Sequence, residues 1–314
     1  MSESPCTVIN FPARTVTALL LTVAAALVSA PGAQADPGTQ DNPPSWGLDR
    51  IDQRAAAPDG RYTYRTTADT VTAYVIDTGV DAKQADFEGR VEPGKNFVDG
   101  NDDASDGNGD GTRLASILGG KDFGVAKKVH IVPVRVLDDT GNGRLTNILA
   151  GIDWVTKNAK QPAVAVLGIG GPANDALDTA VRGLAAVMPV AVPAGWSGSD
   201  TSESSPGRVA EALTVGASDK TDAVSPKSNT GAGIDVFAPG VDIPSATTGG
   251  DPTASGTSMA AAFVAGAAAL YRAEHPQATP AEVGQAIVDS ATSDVLQGVP
   301  QGTPNRLLCT LEDD

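Results

Sequence analysis

The chain is short of the residues that most often carry acid–base and redox chemistry. Of 314 residues, two are histidine and two are cysteine. Cys6 lies in an N-terminal leader, so Cys309 is left alone and an internal disulfide in the mature chain is excluded. An exported chain without a disulfide must hold its fold by its core, with or without a bound ion, and the lone thiol reads as buried or inert. Basic residues are also scarce, with 22 Lys and Arg against 38 Asp and Glu, for a net charge of −16. Glu3 and Arg14 of the leader cancel, so its removal leaves that charge unchanged. Such a surface excludes nucleic acid and acidic lipid as partners. Long apolar runs are missing as well. Arg14 precedes an apolar stretch from Val16 to Val28, and Ala33-Gln34-Ala35 closes it. This has the form of a secretory signal cleaved after Ala35, too short for an anchor, and no later stretch is long enough to span a bilayer. The expected product is secreted and extracellular, with no membrane attachment once the signal is gone.

What is present centres on Gly256-Thr257-Ser258-Met259-Ala260, inside the run SGTSMAAAFVAGAAALY from Ser255 to Tyr271. A glycine, two hydroxyl residues and an unbroken small, apolar run predict a tight turn feeding a buried helix. Free N–H groups and the positive dipole end at a helix start favour developing negative charge, and a nucleophilic serine suits that place. A plain Ser/Thr helix cap explains the same residues.

The rest divides into residues 1–35 as signal, 36–45 as a Pro- and Gly-rich linker or arm, 46–308 as one domain and 309–314 as a tail. Strands are predicted over 70–76, 129–137, 163–167, 190–192, 212–215 and 234–237. Helices are predicted over 112–118, 145–157, 177–188, from Ser258 onward and over 280–291. Strands alternate with helices, which points to an α/β fold with a mainly parallel sheet covered on both faces. Asp77 ends the first strand, where open α/β sheets place their sites. Residues 99–111 form an acidic, Gly-rich loop.

Three separated pieces, IDTG at Asp77, DGNGDGT at Asp110 and SGTSMA at Ser258, occur in order with WGLDRI, FEGR, FGVAKK, VRVLDDTGNG, LTVGASD and FAPG. Together they closely resemble the subtilisin superfamily, proteinase K-type branch, over roughly residues 46 to 308. The resemblance implies a subtilase three-layer sandwich and a site made of an aspartate, a histidine, a serine and an oxyanion-holding amide. Asp77 and Ser258 match the retained positions. The family's His-Gly-Thr-His motif reads here Asp110-Gly111-Thr112-Arg113, so Asp110 stands at the histidine position. The family's Ala-Ala-Gly-Asn reads Pro193-Ala194-Gly195-Trp196, so Trp196 stands at the oxyanion asparagine. Ala-Thr-Pro-His after the serine becomes Ala260-Ala261-Ala262-Phe263, and Ser-Leu-Gly-Gly becomes Gly168-Ile169-Gly170-Gly171. Trp196, Phe263 and Ile169 are the bulky candidates for reshaping the pocket. His130 and His275 are expected to be structural or exposed, and a chaperone-like propeptide has no room in residues 36–45.

Three readings follow. The first is a secreted pseudoprotease that keeps a peptide-binding cleft, with Gly141, Gly143, Ile169 and Gly170 flanking an extended peptide as the family's cleft segments do. The second is a working secreted serine endopeptidase with an acid in the histidine's place. Sedolisins use such an acid, but they also keep an acid at the oxyanion position. The third is a calcium-dependent extracellular binding protein. Asp106, Asn108 and Asp110 match the first half of a D-x-N-x-D-G calcium loop, although its twelfth position holds Ile117. A separate family-type calcium position falls on Asp235, with carbonyls near Ala210 and Ala212. No cofactor is required by the first reading.

Overall fold

The computed structural model describes residues 37–310, except residue 56. The signal segment lies outside the described residues. Among the described residues, nine strands form the main sheet. In chain order they are β1 (Thr72–Asp77), β2 (Lys95–Asn96), β3 (His130–Arg135), β4 (Ala163–Leu167), β5 (Val190–Pro193), β6 (Leu213–Ser218), β7 (Val236–Pro239), β8 (Thr292–Ser293) and β9 (Arg306–Leu307). Their spatial order is β8-β9-β7-β6-β5-β4-β1-β3-β2. All neighbours run parallel except β8 with β9.

Side chains on a strand alternate between faces. Ala73 and Val75 of β1 point to one core, and Tyr74 and Ile76 to the other. β4 divides the same way, with Val164 and Val166 opposite Ala163, Ala165 and Leu167. A sheet buried on both faces needs runs that are apolar at every position, which is why these strands read so clearly.

Among the described residues, six helices cover it: α1 (Trp46–Ile51), α2 (Asp110–Gly119), α3 (Leu145–Asn158), α4 (Asp175–Ala185), α5 (Thr257–Glu274) and α6 (Pro280–Ser290). Helices α2, α5 and α6 share the first core, and α3 and α4 the second. This is the expected three-layer sandwich. Caps set several boundaries. The Asn174 side chain accepts the N–H groups of Ala176 and Leu177, so α4 begins earlier than its apolar spacing suggests. Thr279 and Glu282 form a reciprocal capping box, with Pro280 in the first turn of α6.

Helix α5 is buried almost all round. Its small residues permit close packing: a β-carbon on Gly266 would lie 2.5 Å from Val125 Cβ. Phe263 is fully buried and packs against Gly47 of α1. It anchors the core rather than reshaping a pocket, which corrects the expectation for that residue.

Two boundary expectations also change. Within the supposed linker, Gly38–Asp41 pairs antiparallel with Arg61–Tyr64. At the other end, Cys309 is 1 % exposed, and the Thr310 N–H donates to the Ile51 carbonyl at 2.7 Å, so the start of the supposed tail is packed. Among the described residues no helix is long and apolar enough to cross a membrane.

Candidate active site

Asp77 sits at the C-terminal end of β1 and is 1 % exposed. Its Oδ1 accepts the Thr78 N–H at 2.6 Å. Gly168, just beyond β4, leaves the space that Asp77 Oδ2 fills; any β-carbon there would overlap that oxygen. Burial pushes the Asp77 carboxyl up to about 8, against its ordinary 3.8; the hydrogen bonds from Thr78 oppose the rise and the nearby charges of Asp110 and Asp106 add to it.

Asp110 opens α2 directly after Gly109, whose φ of 115° makes the turn. It is exposed at residue level, yet enough protein surrounds the carboxyl that desolvation raises its pKa, Arg113 opposing and Asp106 adding. The Asp110 charge is felt at Asp77 and adds to the rise there, and Asp77 is the more strongly perturbed of the two. A knot of hydrogen bonds fixes α2 against β1. The Gly111 N–H donates to Thr78 Oγ1 at 3.0 Å, and Thr78 Oγ1 donates to Asp106 Oδ1 at 2.9 Å. Asp106 also accepts the N–H groups of Asn108, Gly109 and Thr112, and the Thr112 hydroxyl.

Ser258 is the second residue of α5 and half-buried. It opens on a cleft of about 580 Å³ whose walls include Gly168, Ile169, Gly170, Trp196 and Glu203. Its neighbour Thr257, 2 % exposed, ties the helix start to the Trp196 loop: Thr257 Oγ1 accepts the Gly195 N–H at 3.3 Å and donates to the Gly195 carbonyl at 3.2 Å. Gly195 has φ 112°, and a β-carbon on it would overlap the Asn229 amide. Asn229, 1 % exposed, accepts at Oδ1 from the Ser197 and Ser199 N–H groups and the Ser197 hydroxyl. Trp196 is half-buried, lines the cleft and leans on the larger core.

Among the described residues, no hydrogen bond joins the Ser258 hydroxyl to Asp77 or Asp110. His130 opens β3 opposite Thr72, five residues from the Arg135–Asp77 register, which is about 17 Å along the sheet. Its Nδ1 lies 3.2 Å from Glu92 Oε1. His275 follows the last turn of α5 and stacks on Tyr271 at 4.3 Å between centroids, about 25 Å from the helix start that carries Ser258.

Of the residues expected to flank a peptide, Ile169 and Gly170 line the cleft. Gly141 lies on the separate Asp138–Asn142 turn and faces Asn108, and Gly143, just after that turn, packs on Leu137 and Ile148. Ile169 is 4 % exposed and belongs mainly to the second core. The calcium-loop residues do not fit a cation: both Asp106 oxygens are taken up by internal donors, and Asn108 Nδ2 turns to the Asp139 carbonyl. Among the described residues no three His, Cys, Asp or Glu side chains converge on a metal position. Asp235 does lie with Ala210 and Ala212, in a separate cavity of about 450 Å³. Its Oδ2 accepts the Thr214 N–H, and burial pushes its pKa up to about 6.

The roles of Thr78, Thr257 and Asn229 escape a sequence reading, and Gly168 is legible only as part of the cleft-lining segment. Thr78 and Thr257 adjoin the two motif residues, which is their only local signal. Nothing near Asn229 in the chain links it to the Trp196 loop.

An aspartate closing a parallel strand and a serine opening a buried helix, on a sheet covered on both faces, are the frame of a subtilisin-like serine-protease fold. The chain belongs to the subtilase family, whose sequence model matches residues 69–306. It is 46% identical over 273 residues to the extracellular serine proteinase of Thermus sp. (strain Rt41A), covering 86% of this chain and 67% of that protein. It is also 46% identical over 270 residues to alkaline serine exoprotease A of Vibrio alginolyticus, covering 85% and 50%. Proteinase T of Parengyodontium album is 40% identical over 287 residues, covering 86% and 93%. The chain thus spans about two thirds and one half of the first two relatives. A cold adapted subtilisin-like serine proteinase of known crystal structure superposes with a TM-score of 0.83 at 44% identity, covering 85% of this chain and 98% of that one.

Proposed function

We propose that this is a secreted subtilase-fold pseudoprotease, which holds an extended peptide beside Ser258 and hydrolyses it little or not at all. Secretion rests on the leader and agrees with the Thermus relative, which is named as extracellular. One observation carries the reading: neither histidine stands near the serine hydroxyl, and the group in the histidine's place is the Asp110 carboxyl, whose charge adds to the raised pKa of Asp77. A serine hydroxyl is a weak nucleophile unless a base takes its proton. Imidazole accepts and returns that proton near neutral pH, whereas two crowded carboxyls hold a proton between them. Trp196 in the oxyanion position removes a donor whose loss alone costs about a hundred- to a thousandfold in rate. Peptide binding is supported by the open space at Gly170 and Gly171, where a β-carbon would meet nothing within 4 Å.

The second reading, an acid-active serine endopeptidase, is favoured by the relatives' names and by the raised pKa of the acid pair. One experiment separates the two. The mature chain is incubated with casein and with an active-site fluorophosphonate from pH 3 to pH 9, beside Ser258→Ala. The pseudoprotease reading expects no Ser258-dependent cleavage at any pH, and a measurable gain from Asp110→His combined with Trp196→Asn. Steady Ser258-dependent cleavage by the unaltered chain refutes it and establishes the endopeptidase.

A further inference from the structure

We infer that the cleft beside Ser258 selects its peptide by a cationic side chain, lysine or arginine, seated between the Trp196 indole and the Glu203 carboxylate. This rests on the peptide-binding reading above and names the class of peptide. Of all the residues lining the cleft, Glu203 is the only one that carries a charge. Its backbone is pinned: the Glu203 N–H donates to the Asp200 carbonyl at 3.1 Å, and its carbonyl accepts the Ala173 N–H at 3.0 Å. Its carboxylate is uncommitted. Among the described residues, no hydrogen bond or ion pair engages it.

Several other polar side chains of the rim are engaged within the protein, and those that are not, such as the Ser258 hydroxyl, are neutral. Ser204 Oγ donates to the Ala194 carbonyl at 2.9 Å, and Ser197 Oγ donates to Asn229 Oδ1 at 3.0 Å. The rim therefore offers a guest one unsatisfied anion and one large aromatic face. An aromatic face attracts a cation through its quadrupole, and a carboxylate adds a charge-assisted hydrogen bond. An apolar guest covering Glu203 would strip water from a carboxylate without giving it a partner. An acidic guest would meet a like charge. The net charge of −16 draws cationic peptides toward the whole surface, while Glu203 decides where the charge sits.

The test uses the mature chain and three blocked tetrapeptide amides that differ only in one side chain, arginine, norleucine or glutamate, titrated by calorimetry. Arginine is expected to bind about tenfold more tightly than norleucine, a difference of about 1.4 kcal/mol. Glutamate is expected to bind weakest. Glu203→Gln should bring the arginine and norleucine affinities together, and an unchanged melting temperature shows that this exposed position leaves the fold intact. Trp196→Leu should lower the affinity for arginine more than that for norleucine. Equal or tighter binding of norleucine by the unaltered chain, or an arginine preference that survives Glu203→Gln, overturns the inference while peptide binding itself stands. Failure of all three peptides to bind overturns both.

Discussion

Replacing Asp77 by asparagine keeps the side chain's shape and removes its charge. The Thr78 N–H that donates to Oδ1 at 2.6 Å keeps its acceptor. In the folded chain burial holds this carboxyl at about 8, whereas the unfolded chain leaves it near 3.8. The folded state therefore binds the proton more tightly, and its stabilising effect is complete below pH 3.8. It is lost as pH rises from there to about 8. At 1.36 kcal/mol per pH unit, the full loss is about 6 kcal/mol, of which about 4 kcal/mol has gone by pH 7. Asp77→Asn has no proton to lose, so it should be more stable than the parent by several kcal/mol at pH 8 and about equal to it at pH 3.5. Urea unfolding of both chains at half-unit steps from pH 3.5 to 9 reads the difference directly. Curves that stay parallel across that range would show that the Asp77 charge is compensated in the fold, and the acid-pair account of the site would fail with it.

Two further substitutions probe the same frame. Gly168→Ala puts a methyl group into the Asp77 carboxylate and 2.5 Å from Leu114 Cδ1; it should cost about 1–3 kcal/mol in urea unfolding, and a neutral result would mean that Gly168 does not set the position of Asp77. Asp106→Ala strands the Thr78 hydroxyl and the Asn108, Gly109 and Thr112 N–H groups. It should lower stability by about 3 kcal/mol whether or not calcium is present, and a loss seen only in calcium would reinstate the cation loop.

The sheet was legible because both of its faces are buried. Every residue of β1 and β4 is buried, so β4 appears as an unbroken apolar run and β1 as an apolar run closed by Asp77. Helix α1 and the short edge strands were not, since six residues or fewer hold no period to measure. Asp77 and Ser258 could be read because each stands inside a compact motif. The Phe263 direction could not, because α5 has no polar face to orient it and the side chain follows from contact with Gly47, far away in sequence. The Asn229 contacts escaped for a like reason: its partners lie about 30 residues upstream and meet it only after the chain folds. The Asp106 knot shows how a local pattern can carry two explanations. The run that matches the first half of a cation loop has its Asp106 carboxylate engaged by donors from Thr78, just after β1, and from Thr112 of α2.

Helix α5 is at once the axle of the molecule and the bearer of the serine hydroxyl. Its alanines and Gly266 touch strands, α2 and α6 on every side, so drift along it is punished by collapse of the whole body. Asp110 and Trp196, by contrast, stand where a helix and a loop meet solvent, and either can change while the axle turns on undisturbed. On the pseudoprotease reading, chemistry in this architecture fades from its periphery inward, while the buried Asp77 and the serine on the axle stay in place.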